Sequence, residues 1–172
     1  MKKTILLLNS LMIVGILTVS CDNDNGPDCP DALTGALSEV ETAFTGNWNL
    51  KSIVADKEID LTDDNVENPS TDIFAQNSDC QNDLAYNFEN NRNYTLKQGL
   101  NVTDCQDLEA RGTWALNGGL LTFVTNCSSD YTAIEINEDD TEFSYTSNLR
   151  FKDVNNALID SKVIFTYEKN IP

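Results

Sequence analysis

The sequence predicts an all-β protein, an eight-stranded antiparallel up-and-down barrel with a short N-terminal helix. Three observations carry this. Apolar and polar residues alternate through successive short stretches, the pattern of strands buried on one face. Most stretches are joined by short turns rich in Asn, Asp or Gly, so neighbours in sequence pair as neighbours in space. One apolar face repeated along so many strands must be covered, and a sheet that closes on itself both covers it and loses its exposed edges. At eight strands the interior is just wide enough for packed side chains or one small ligand.

The chain starts with a segment of a different kind. Lys2 and Lys3 precede a run from Ile5 to Val19 that is apolar apart from Asn9, Ser10 and Thr18, the layout of a secretory signal. A stable membrane span needs about 20 apolar residues, and this run is shorter, so residues 1–20 are expected to be a processed signal. Leu17, Thr18, Val19 and Ser20 then lead directly into Cys21. That stretch resembles a bacterial lipobox, which implies a lipid on Cys21 and an anchor in the membrane. More than one acyl chain is needed for firm anchoring, and a three-chain lipoprotein anchor meets that need. Residues 21–30, CDNDNGPDCP, offer nothing to bury and read as an acidic tether. An acidic cluster behind a lipidated cysteine is similar to the surface-export signals of Bacteroidetes lipoproteins. It implies a cell-envelope, outer-membrane location with surface exposure.

Residues 31–172 are expected to form one domain, long enough to bury a single core. The formal net charge is −17, and it becomes two units more negative once Lys2 and Lys3 are removed. Such a balance argues against nucleic acid or bare anionic membrane as partners, since both attract clustered Lys and Arg.

Within the domain, Leu33, Ala36, Leu37, Val40 and Phe44 recur at helical steps, which predicts one amphipathic helix from Asp31 to Phe44. "GNWNLKSI" puts Trp48 and Leu50 on one face of the first strand, and a polar loop is expected from Ala55 to Asp79. "LAYNFE" and "RNYTLK" form a hairpin around Asn90 and Asn91, with Tyr86 and Phe88 facing Tyr94 and Leu96. "RGTWALNGGLLTFVT" repeats the design, with Trp114 and Leu116 before Asn117-Gly118-Gly119 and Leu121 and Phe123 after it. "YTAIEI" supplies Ile134 and Ile136. "TEFSYTSNLRF" aligns Phe143, Tyr145, Leu149 and Phe151, and "KVIFTYEK" aligns Val163, Phe165 and Tyr167.

Setting Cys21 aside leaves Cys29, Cys80, Cys105 and Cys127, an even number that allows three connectivities. Cys80 and Cys105 bracket the first hairpin and are expected to pair, leaving Cys29 to Cys127.

A short helix followed by Gly46-Asn47-Trp48, then an up-and-down series of strands, resembles a lipocalin. "GNWNLKSI", "CQNDLAYNFENNRNYTL" and "GTWALNGGLLTF" are similar to the lipocalin-like domains of Bacteroidetes lipoproteins, across about residues 44–168. The resemblance implies that Trp48 closes the barrel base against an arginine of the last strand. That strand has none, and Arg150 stands in the one before it. Gly46, Trp48 and Trp114 are assigned structural roles, since buried indoles supply large apolar area.

The chain has no histidine, which removes every triad or metal site built on imidazole. Most of the abundant carboxylates fall in loops and turns, where a solvated surface explains them better than paired catalysis. No enzyme activity, cofactor or metal is expected. The leading expectation is a barrel that takes a small, largely apolar molecule between Tyr86, Phe88, Tyr94, Phe123, Phe143, Tyr145 and Phe165. The competing one is a barrel filled by these side chains, acting as a surface module for protein or glycan contacts.

Overall fold

The computed structural model describes residues 29–62 and 64–171. Cys21, the signal segment 1–20 and residues 22–28 of the acidic tether lie outside the described residues.

The chain forms a mostly β, nearly closed antiparallel barrel. Its elements are α1 (Glu39–Phe44), β1 (Gly46–Ile59), β2 (Ser70–Asp72), α2 (Ile73–Gln76), α3 (Asp79–Asn82), β3 (Leu84–Phe88), β4 (Asn93–Gln98), β5 (Leu108–Asn117), β6 (Leu120–Thr125), β7 (Ser128–Ala133), β8 (Glu135–Ile136), β9 (Glu142–Lys152) and β10 (Leu158–Lys169). Nine strands follow one another in the order β7-β6-β5-β4-β3-β1-β10-β9-β8, and β2 pairs with β1 off this path. The expected count of eight changes for two reasons. The "YTAIEI" strand breaks at Ile134 into β7, which pairs with β6, and β8, which pairs with β9. The single strand therefore switches partners, closing the base of the barrel while no ladder joins β7 to β9 above it among the described residues.

The second reason is the stretch expected to be a polar loop from Ala55. Ala55 and Ile59 continue the buried face of β1, and Ile73 of α2 is buried beside them, so β2 and α2 pack over the upper end of the barrel. Gln76 fastens this cover: its Nε2 donates to the Ile59 carbonyl, and its Oε1 accepts from the Leu61 N–H.

The helix expected over 31–44 is only α1, six residues long. Ser38 caps it, its hydroxyl accepting from the Glu41 N–H at 3.2 Å while Glu41 Oε2 accepts from the Ser38 N–H at 2.8 Å. Upstream, the helical spacing loses to tertiary contacts. Gly35 sits at φ +100°, and the carbonyls of Gly35 and Ala36 accept from Arg92 across the barrel base. Leu33 donates instead to Thr113 Oγ1 of β5. Residues 29–38 thus run as a strap toward the base, and Val40, expected on the core face, is 59% exposed.

The turns follow their chemistry. Gly118 and Gly119, both at positive φ, make the two-residue β5–β6 connection. Asn137 Oδ1 accepts from the N–H groups of Thr141 and Glu142, tightening the β8–β9 turn.

Candidate functional site

The base of the barrel is solid. Phe44, Trp48, Phe88, Trp114, Phe143 and Tyr167 are almost wholly buried. Phe44 stacks on Trp48 at 4.9 Å between centroids, and Phe143 stacks on Tyr167 at 4.9 Å. Trp48 Nε1 donates to the Phe44 carbonyl and Trp114 Nε1 to that of Glu89, so both indoles bury their polar atom satisfied. The cation over Trp48 is a lysine: Lys169, at the end of the last strand, lies 5.3 Å from the ring centroid and also donates to the Ala43 carbonyl. Gly46, at φ +128°, leaves space for it, since a Cβ there would approach Lys169 Cε to 3.2 Å.

A buried ion pair locks strap, helix and hairpin together. Arg92 of the β3–β4 turn meets Glu41 at 2.7 and 3.0 Å, and also donates to the carbonyls of Gly35, Ala36 and Trp114. Glu41 accepts further N–H bonds from Ser38 and Leu116. Burial alone would raise the Glu41 pKa; the bonds from Arg92, Ser38 and Leu116 overcome it and hold the group at about 2.

Above this floor the packing loosens. Inner positions of β5 level with Tyr94 and Leu96 are Gly112 and Ala110, so β5 contributes almost no side chain there. A Cβ on Gly112 would meet the Val124 carbonyl oxygen at 2.2 Å and Tyr94 Cε1 at 2.9 Å. Glycine thus lets the Tyr94 ring lie directly on the strand. The result is a cavity of about 230 Å³ bordered by Tyr86, Tyr94, Leu96, Phe123, Asp130 and Thr132. Asp130 stands opposite Phe123 and Thr132 opposite Leu121 in the β6–β7 ladder, so both share the inner face. β7 is also the strand left unpaired toward β9, which puts the cavity beside the open seam.

Of the seven side chains expected around a ligand, Tyr86, Tyr94 and Phe123 border this cavity. Phe88 and Phe143 belong to the packed floor, and Tyr145 and Phe165 stack on each other at 5.0 Å higher up. Tyr167 was placed in the core by its parity, yet its role was missed: its hydroxyl is buried beside that of Tyr145. Burial foremost, then the neighbouring Tyr145 and Tyr86, push its phenol far above the ordinary range. Burial likewise raises Tyr86 well above its usual value. These phenols are neutral donors at any physiological pH. Asp130 and Thr132 were also missed, although they share the parity of Ile134 and Ile136.

Cys80 bonds to Cys105 and Cys29 to Cys127. The second bridge ties the start of the strap to the β6–β7 turn, at the end of the barrel opposite α1. A larger cleft of about 530 Å³ lies at the upper ends of β1, β9 and β10. Its polar groups are engaged within the cleft, with Arg150 gripping Asp160 and Asp56 accepting from the Ser161 hydroxyl. Among the described residues no group of His, Cys, Asp or Glu is arranged to hold a metal ion.

A nearly closed antiparallel barrel with a helix across its base and a side cavity is compatible with a lipocalin-like fold. The chain belongs to the family described as "Domain of unknown function (DUF5004)", which matches residues 22–170. The search of curated proteins found no match.

Proposed function

We propose that this protein is a non-enzymatic lipoprotein of lipocalin-like type, anchored in the outer membrane through a lipid on Cys21, whose barrel binds a small, largely apolar molecule. The observation that carries the binding reading is the cavity of about 230 Å³ between Tyr86, Tyr94, Leu96 and Phe123. It exceeds the roughly 150 Å³ apolar cavity that already admits benzene-sized guests, yet is smaller than pockets built for drug-sized ligands. The anchor reading rests on LTVSC followed by an acidic segment, and on a family match that starts one residue beyond Cys21.

Native mass spectrometry of protein purified from its own membranes tests the binding. The wild type should retain an extra mass that Thr132→Phe, which fills the cavity from β7, excludes. Absence of any retained mass, together with failure to displace a fluorescent apolar probe, would overturn the reading. A second reading, a rigid module for protein or glycan contacts, is favoured by the solid aromatic floor and would then stand. For the anchor, Cys21→Ala should abolish acyl labelling and release the domain from membranes; a variant that stays bound refutes it.

A further inference from the structure

The cavity has a chemical bias that its apolar walls alone do not explain. Three aromatic rings border it and pack on one another: Tyr94 and Phe123 lie 4.7 Å apart at 59°, and Tyr86 stacks on Phe123 at 5.8 Å. The fourth side carries Asp130, whose side chain has no ion pair among the described residues; its one polar contact is the Ser128 hydroxyl at 3.5 Å. No lysine or arginine borders the cavity. An anionic guest would meet an uncompensated carboxylate, and a neutral guest would leave that exposed carboxylate without a counter-charge. A positive charge is attracted both by the aromatic faces and by the carboxylate.

We propose, building on the ligand-binding reading above, that the cavity selects a compact organic cation, an alkylated ammonium group carried on a small apolar body. The three rings hold the alkyl groups and Asp130 of β7 supplies the counter-charge. The size of the cavity limits the guest to a head group and a few further carbons. The formal charge of −17 concentrates cations around the protein and speeds their arrival. Tyr94 keeps a neutral ring at the site because burial, and secondarily the Asp130 charge, raise its phenol above the ordinary range.

Choline and its uncharged isostere 3,3-dimethylbutan-1-ol are the probes, added to the full chain in a non-ionic sugar detergent and followed by proton NMR. Choline should bind with its N-methyl signal moved upfield by the rings, and the isostere should bind at least tenfold more weakly. Asp130→Asn, at an exposed edge position that leaves the floor intact, should weaken choline about tenfold and leave the isostere unchanged. Phe123→Leu should reduce the upfield shift. Equal binding of both probes, or an Asp130→Asn variant that binds choline like the wild type, overturns the cation selectivity while leaving apolar binding in place. Failure of both probes to shift overturns the selectivity and the cavity reading together.

Discussion

Replacing Glu41 by Gln should cost this protein a large part of its stability and remove most of its sensitivity to acid at this site. Glu41 receives two bonds from Arg92, at 2.7 and 3.0 Å, and two backbone N–H bonds, at 2.8 and 3.1 Å. Its side chain is 6% exposed and that of Arg92 10%, so solvent screens the pair little. The fall from an ordinary 4.5 to about 2 corresponds to about 3 kcal/mol of stability. Because the folded-state pKa is depressed, that contribution is fully present above about pH 5 and is lost as pH falls through about 2. Glu41→Gln leaves the guanidinium buried without its counter-ion, a defect that costs about 3–5 kcal/mol and lowers Tm by roughly 6–20 °C in a domain of this size. Urea unfolding followed by the fluorescence of the buried Trp48 and Trp114, repeated from pH 7 to pH 2, reads both effects. The wild type should lose about 3 kcal/mol more than the variant across that range, since the other carboxylates titrate in both. Equal pH dependence of the two proteins would show that the pair contributes nothing and refute the reasoning.

Gly112→Ala should destabilise the barrel and displace the Tyr94 ring, seen as a lower Tm and altered tyrosine NMR shifts, because the new methyl group meets backbone as well as side chain; an unchanged Tm would show the strand can give way. Removing the Cys29–Cys127 bridge by double replacement with Ser should cost about 4–5 kcal/mol in denaturant, since it closes a loop with a sequence separation of 98. Lys169→Met should lower stability by about 0.5–1 kcal/mol through loss of the cation over Trp48, and should change the tryptophan emission; no change in either would dismiss the contact.

Strand parity was legible because it is a local property. Trp48, Tyr86, Phe88, Tyr94, Trp114, Phe123, Phe143 and Tyr167 point inward as their period of two requires, and the turn residues stand where the hairpins need them. What stayed hidden depends on contacts between distant segments. The apolar spacing of Leu33, Ala36 and Leu37 was sound as a helix signal, yet Arg92, more than fifty residues on, claims the carbonyls of Gly35 and Ala36. Trp48 carries a lysine where the lipocalin resemblance implies an arginine, and Lys169 stands in the expected last strand. Asp130 reads as a surface charge and is exposed, but its place opposite Phe123 is set only once β6 and β7 are in register. Gly112 inside a strand did carry a signal, since glycine there marks a close approach, but its neighbour Tyr94 is known only once β4 and β5 are in register.

The Cys29–Cys127 bridge also decides how the domain would hang from an anchor. Were the chain held by the proposed lipid on Cys21, eight residues before Cys29, the intervening leash could reach at most about 29 Å. Tension in that leash would pass through the sulfur bridge into the β6–β7 turn, so the strap from Pro30 to Leu37 and the Arg92 clasp at the far end would carry no load. The domain would be slung by the rim beside its seam, with the aromatic floor turned away from the bilayer.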